Sequence, residues 1–400
     1  MDADSRRYGL VVAGAGAYAC LTFVWFALPA YLPTLIADVG LTGAEAGLLA
    51  GAVPLTYVPL SLFSGLVVDR VGPVRSLAAG LLVVGVASVG RSLAPGYPSL
   101  LAFTLLLGVG GTAITFGLPK LVSVLFPPER TGLPSSVYLL GSTAGTAAAF
   151  GLGRPVFGPA LGGWRPLFLA SGLVAVGYAA VWLVLVRASG IAARGAEGDG
   201  TDSTPASLGG DLRAVLAHPE LRLVVVVGTA YLALVHGLQG WLPTVLESRG
   251  VPPTLAGRTT SLLVVANAAG VLAVPAVADR FGRRRGAVVA CGATAAVGVA
   301  ALVPAAVGPA TFLAVVVAGI GVGGLSPLVR AIPPDLEGIG PRLTGTAVGF
   351  VFAVGEVGGF LSPVLVGTLR DVTGSFVPGL LALAAAGSVA AAAGAAMRRE

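Results

Sequence analysis

Of 18 acidic residues, Glu356 alone stands near the middle of an apolar run, Phe352-Ala353-Val354-Gly355-Glu356-Val357-Gly358-Gly359. A charge at bilayer depth costs at least about 2.5–3.5 kcal/mol on insertion scales, so such a group needs a partner, a wet cavity or an escape route. A carboxyl in that position could carry protons, loaded on one side of a membrane and released on the other; the alternative is a permanently protonated or paired structural carboxyl. Three cations share its situation: Arg154, Arg330 and Lys120, the only lysine of the chain, in Gly117-Leu118-Pro119-Lys120. His236, with Tyr231 and Gln239 close by in sequence, could share a proton relay, touch a substrate, or simply be hydrogen-bonded among helices. Arg154 could neutralise Glu356, attract anions or anchor a helix end. Trp25 and Phe26 suit packing or a flat surface for a substrate. No zinc-type Cys/His spacing, phosphate loop or nucleophile–base arrangement is present, and glycine stretches such as Gly108-Val109-Gly110-Gly111 have no preceding strand. The chemistry on offer is binding and proton movement; no enzyme, cofactor or metal is expected.

The elements that must position these residues follow from composition. Hydrophobic residues make up 56% of the 400 and charged residues 10%, against about 25% charged in a soluble chain. So few charges cannot coat a water-soluble protein of this size. Cys20 and Cys291, the only cysteines, lie in apolar runs, which excludes a secreted disulfide scaffold. In hydrocarbon every backbone N–H and C=O must be paired inside the protein, leaving helices or closed barrels. The apolar runs are continuous rather than alternating, as spanning helices require. The expected fold is therefore all-α, a polytopic membrane protein.

Twelve spans are expected, at roughly 9–36, 44–68, 76–94, 98–125, 134–157, 165–187, 222–246, 256–278, 286–306, 309–331, 344–368 and 375–397. The long polar stretch at 188–220, with GAEGDGTDSTPASLGGD, reads as a cytoplasmic linker between a six-helix bundle at 1–187 and another at 221–400. Within it DLRAVLAHPELR reads as a short surface helix or a loop. Sixteen of the 24 basic residues fall on one side of the spans and five, Arg91, Arg165, Arg249, Arg258 and Arg370, on the other. That bias puts both termini in the cytoplasm of a cell-membrane protein, and it explains the net charge of +6 without nucleic acid. The first run reads as a retained helix, not a cleaved signal.

One offset recurs across the halves. Tyr31-Leu32-Pro33-Thr34 matches Trp241-Leu242-Pro243-Thr244, Asp69-Arg70-Val71-Gly72 matches Asp279-Arg280-Phe281-Gly282, and Gly145 and Phe150 match Gly355 and Phe360, each 210 residues apart. Lys120 and Arg330 obey the same spacing. Two pseudo-symmetric six-helix bundles are expected, and because six is even the halves are parallel repeats. Transporters built this way hold their substrate between the repeats near the midplane.

These residues resemble the major facilitator superfamily. Its signature loop, G-x-x-x-D-R-x-G with basic residues after it, is matched by Gly65-Leu66-Val67-Val68-Asp69-Arg70-Val71-Gly72-Pro73-Val74-Arg75; the second copy keeps Arg283-Arg284-Arg285 but has Pro275 for the leading glycine. Gly145 with Gly158-Pro159-Ala160-Leu161-Gly162-Gly163 is similar to a fifth-span pattern of antiporters, with Arg154 replacing one glycine. An arginine typical of many proton-coupled members is missing from the fourth span, near Thr104. The tail of the eleventh span, Gly358-Gly359-Phe360-Leu361-Ser362-Pro363 through Asp371-Val372-Thr373-Gly374, resembles branches that move organic anions, cyanate or nitrate. The resemblance implies a secondary transporter working by alternating access, as a monomer, with a small-molecule substrate, a proton and the lipid bilayer as partners. It implies that Asp69, Arg70, Gly72, Asp279, Arg280 and Gly282 govern gating. It also puts Lys120 and Arg330 on spans that line a central cavity, where they could clamp an anion; both are close enough to span ends to snorkel to the surface instead. A substrate contact is also open to His236, Gln239, Trp25 and Arg154. A proton-coupled exporter of hydrophobic compounds is the alternative activity, supported by the fifth-span pattern.

Overall fold

The computed structural model describes residues 3–190, 217–281, 283–304, 307–336 and 339–397. Every regular element among them is helical: α1 (Ala3–Ala30), α2 (Leu32–Val39), α3 (Gly43–Val71), α4 (Pro73–Ser92), α5 (Tyr97–Leu125), α6 (Gly132–Ala148), α7 (Gly158–Leu161), α8 (Trp164–Ser189), α9 (Pro219–Ser248), α10 (Pro253–Phe281), α11 (Arg284–Ala301), α12 (Pro309–Ala331), α13 (Gly340–Thr373) and α14 (Val377–Ala396). Helices or broken helices cover each expected span. Among the described residues nine are by themselves long and apolar enough to cross a bilayer, and the bent α3 adds a tenth. This is a multi-pass membrane protein. Most of the expected linker, and Gly282 with it, lies outside the described residues.

Local chemistry sets the helix ends. Proline occupies one of the first two positions of α4, α5, α9, α12, α13 and α14, where its missing N–H costs nothing. Gly190 and Gly374 stop α8 and α13 in the left-handed region, at φ 63° and 72°.

Three spans are less regular than their sequence suggests. The first breaks at Tyr31, between Pro29 and Pro33, and resumes as α2. The second bends by 70° between Ser61 and Phe63, just beyond Pro59. The fifth leaves α6 for a π-helical stretch, Ala149–Phe157, before α7. Pro155 sits inside that stretch without an N–H to give and with a ring that displaces the carbonyl one turn back, so the wider turn is the accommodation.

Contacts divide the chain into two compact units. The first is Met1–Tyr31 with Pro59–Thr201, the second Leu32–Val58 with Asp202–Glu400. In the first, α1 packs on α6 and α8, and α4 on α5 and α8. In the second, α9 packs on α13 and α14, α11 on α12 and α14, and α10 on α12. The four pairings of the first unit recur in the second between the elements 210 residues on. Close approach in each depends on paired glycines. A Cβ on Gly85 of α4 would stand 2.7 Å from the Gly172 carbonyl of α8, and one on Gly292 of α11 would stand 2.8 Å from the Gly387 carbonyl of α14.

Candidate functional site

The acid and the histidine singled out from the sequence meet. In the second unit α9 and α13 lie backbone to backbone, since a Cβ on Gly358 would stand 2.6 Å from the Thr229 carbonyl. That approach brings His236 Nε2 to 3.6 Å from Glu356 Oε2, with the side chains 8% and 13% exposed. The separation is too long for a hydrogen bond, and Oε2 is buried with no hydrogen-bond partner among the described residues. Gly359 makes the room: a Cβ there would be 2.7 Å from His236 Cδ2 and 3.0 Å from Glu356 Oε2. Next to the pair, Ser362 Oγ donates to the Ala233 carbonyl and Trp241 Nε1 to the Pro363 carbonyl, both at 2.8 Å, fixing the two helices together. A carboxyl and an imidazole so placed can hold or pass a proton, and each gain or loss changes the net charge where charge is costly. Gln239, also 7% exposed, lies one turn beyond His236 on α9.

In the first unit the lone lysine reaches the signature loop. Lys120 Nζ is 2.8 Å from Asp69 Oδ1, with the two side chains 42% and 55% exposed, so the lone lysine is paired with the signature acid. Gly72 caps α4 at φ 86°, a conformation that side chains avoid, directly before Pro73. Arg70 is exposed. In the second unit Asp279 pairs with Arg284 Nε at 3.3 Å, while Arg280 is exposed. The basic tail closes helix ends within that unit: Arg284 donates to the Ala331 carbonyl at 3.1 Å, and Arg285 to the carbonyls of Gly394 at 3.1 Å and of Ala395.

An exposed ion pair of this kind contributes roughly 0.2–1 kcal/mol. A double-mutant cycle with Lys120→Ala and Asp69→Ala, followed by thermal stability in detergent, is expected to give a coupling within that range. Additive losses would mean that the two do not interact in solution.

The remaining candidates have partners of their own. Arg330 donates to the Ser326 carbonyl at 3.0 Å and to its Oγ at 2.6 Å, with its guanidinium 4.2 Å from the Phe352 ring centre. Arg154 is buried; it donates to the Ala30 carbonyl at 2.9 Å and lies over Tyr31, so it anchors the broken end of α1. Trp25 and Phe26 stack on one another at 5.0 Å, and Phe26 packs on Phe150.

Sequence reasoning missed three residues. Arg91 is counted above as a charge on the outer side, but it is fully buried, donating to the Val24 carbonyl at 2.7 Å over the Phe168 ring, with Nε and Nη1 unpartnered among the described residues. Its place in the last turn of α4 turned the side chain inward, which a charge count cannot register. Asp371 binds the first N–H groups of α3, and Gly359 clears the space for the pair. The close spacing of Glu356 and Gly359 was the available signal for the second.

Comparison with known proteins gives a coherent set. The sequence model of the Major Facilitator Superfamily matches residues 14–363. The uncharacterized transporter YycB of Bacillus subtilis is 27% identical over 371 residues, 91% of this chain and 87% of that one. The probable nitrate/nitrite transporter NarK2 of Mycobacterium tuberculosis is 28% identical over 369 residues, 88% of this chain and 87% of that one. In fold the chain is similar to a crystal structure of a bacterial homologue of the human lysosomal transporter Spinster, with a TM-score of 0.76, 18% identity and 98% and 96% of the two chains covered.

Proposed function

The chain belongs to the major facilitator superfamily of membrane transporters, and we propose that it moves a small anion together with a proton by alternating access. The observation that carries this reading is the His236–Glu356 pair, a carboxyl and an imidazole 3.6 Å apart inside two apolar helices. Glu356 takes up the proton on one side and releases it on the other, and His236 is its partner in that exchange. An anion is favoured because the charges within the spans are mostly basic, Arg91, Lys120, Arg154 and Arg330 against Glu356. The similarity to a probable nitrate/nitrite transporter points the same way. Arg330, held by Ser326 and backed by Phe352, is the cation assigned to the anion, with Gln239 of the same unit as a further contact. Lys120 is assigned to the gate with Asp69, Arg70 and Gly72, and Asp279, Arg280 and Gly282 form the corresponding gate of the second half. The positive-inside bias supports a cell-membrane protein with both termini cytoplasmic.

Purified protein in liposomes tests this with a panel of nitrate, nitrite, cyanate and small carboxylates. A gradient of about one pH unit supports roughly tenfold accumulation of a solute carried with one proton. At least one anion is expected to reach that level with the gradient and none without it; accumulation indifferent to the gradient would remove the proton from the mechanism.

A second reading, export of hydrophobic compounds, has one observation in its favour. The first unit holds an apolar cavity of about 510 Å³ between α1, α6 and α8, lined by Cys20, Phe23, Ala144, Leu167 and Val174 among others. Proton-driven efflux of a lipophilic dye, unaffected by Arg330→Ala, would favour it.

A further inference from the structure

The opening turn of α3 has its N–H groups fully satisfied, two of them by a residue 328 and 327 positions away. Thr42 and Glu45 cap each other: Thr42 N donates to Glu45 Oε2 at 2.9 Å, and Glu45 N donates to Thr42 Oγ1 at 3.2 Å. Ala46 N donates to the Thr42 carbonyl at 3.0 Å. The other two, Gly43 N and Ala44 N, donate to the two carboxylate oxygens of Asp371 at 2.7 and 2.8 Å. These are charge-assisted bonds at the positive end of a helix. Asp371 itself lies in the last turn of α13.

The backbone beneath this contact is equally close. Gly43, Gly47 and Gly51 recur every fourth residue and face α13. A Cβ on Gly47 would stand 2.8 Å from Val364 Cα, one on Gly51 would stand 2.7 Å from the Phe360 carbonyl, and one on Gly367 would strike the Gly43 carbonyl. The fold does not demand the acid, because the position 210 residues before Asp371 is Leu161, and that 210 after Gly43 is Pro253. The segment it holds is also unusual. Leu32–Val58 groups with the second half of the chain, whereas the residues on either side, through Tyr31 and from Pro59, group with the first. Both junctions are irregular: the break at Tyr31, and the 70° bend between Ser61 and Phe63.

We propose that Asp371 and this glycine face form a releasable latch that holds the outer parts of the first two spans on α13 and keeps the outer mouth closed. The inference rests on the transport reading for its purpose but not for its test. Opening must break two bonds to one carboxylate and part a close glycine contact, so Asp371 sets how often the outer side opens.

The test uses Ala50→Cys in a Cys20→Ala/Cys291→Ala protein, since Ala50 is buried on α3 beside Gly240. Right-side-out vesicles are treated with a membrane-impermeant maleimide. Asp371→Asn is expected to raise the labelling rate roughly tenfold. Ala44→Pro removes one donor at a first-turn position that tolerates proline, leaves Asp371 in place, and is expected to shift the rate in the same direction. Unchanged rates in both variants, each monodisperse on gel filtration, overturn the latch. No solute is needed. Faster labelling without uptake of any anion keeps the latch and defeats the transport reading; flat labelling with uptake intact does the reverse.

Discussion

Glu356→Gln is expected to cut proton-driven uptake about a hundredfold while leaving exchange of solute for solute across the membrane intact. Glutamine matches the protonated carboxyl in shape but cannot give up a proton. Exchange shuttles the loaded carrier back and forth and needs no release, whereas net uptake requires the empty carrier to return after discharging. Because a charge in the span interior is worth about 2.5–3.5 kcal/mol, an interaction of that size lost from the cycle corresponds to roughly two decades of rate. His236 at 3.6 Å is the neighbour that senses the change, so His236→Gln should weaken uphill uptake as well. The measurement is paired: uptake into proteoliposomes under a pH gradient, and counterflow at equal pH. Full uphill uptake by the glutamine variant would remove Glu356 from the proton path.

The helical architecture and the repeat were legible because hydrocarbon leaves few backbone solutions and because a 210-residue offset is visible in the letters themselves. Glu356 and His236 were legible for the same reason: a polar group in an apolar run is conspicuous. What composition does not carry is direction. Arg91 and Arg154 look alike beside apolar runs, yet each turns inward to a carbonyl of α1. Lys120 and Arg330 share a repeat position but not a partner, one meeting Asp69 and the other Ser326 and Phe352. The repeat equates their backbones; side-chain partners are set by the neighbours on other helices, and there the halves differ. The breaks at Tyr31 and Pro155 were present in the sequence as prolines, but membrane helices often absorb proline, so the residue alone does not announce a break.

Gly359→Ala is expected to lower uphill uptake roughly ten- to hundredfold, almost as far as removing the acid, although it deletes no functional group. The new methyl would lie 2.7 Å from His236 Cδ2 and 3.0 Å from Glu356 Oε2, closer than real carbon contacts. Both contacted atoms are side-chain ends, and the helices cannot part to make room, since α9 and α13 are pinned by the Ser362–Ala233 and Trp241–Pro363 bonds. The strain must therefore be relieved by turning the imidazole or the carboxyl away. Overpacking of this sort costs about 1–3 kcal/mol, and its effect on rate follows from the separation of the pair. If Gly359 acts only through the pair, its loss is not additive with Glu356→Gln: the double variant should transport no worse than Glu356→Gln alone. Counterflow should survive in each, because exchange does not use the proton step. A double variant markedly poorer than either single one would mean that Gly359 serves helix packing at large, and an alanine variant with undiminished uptake would mean that the two side chains work without their present spacing.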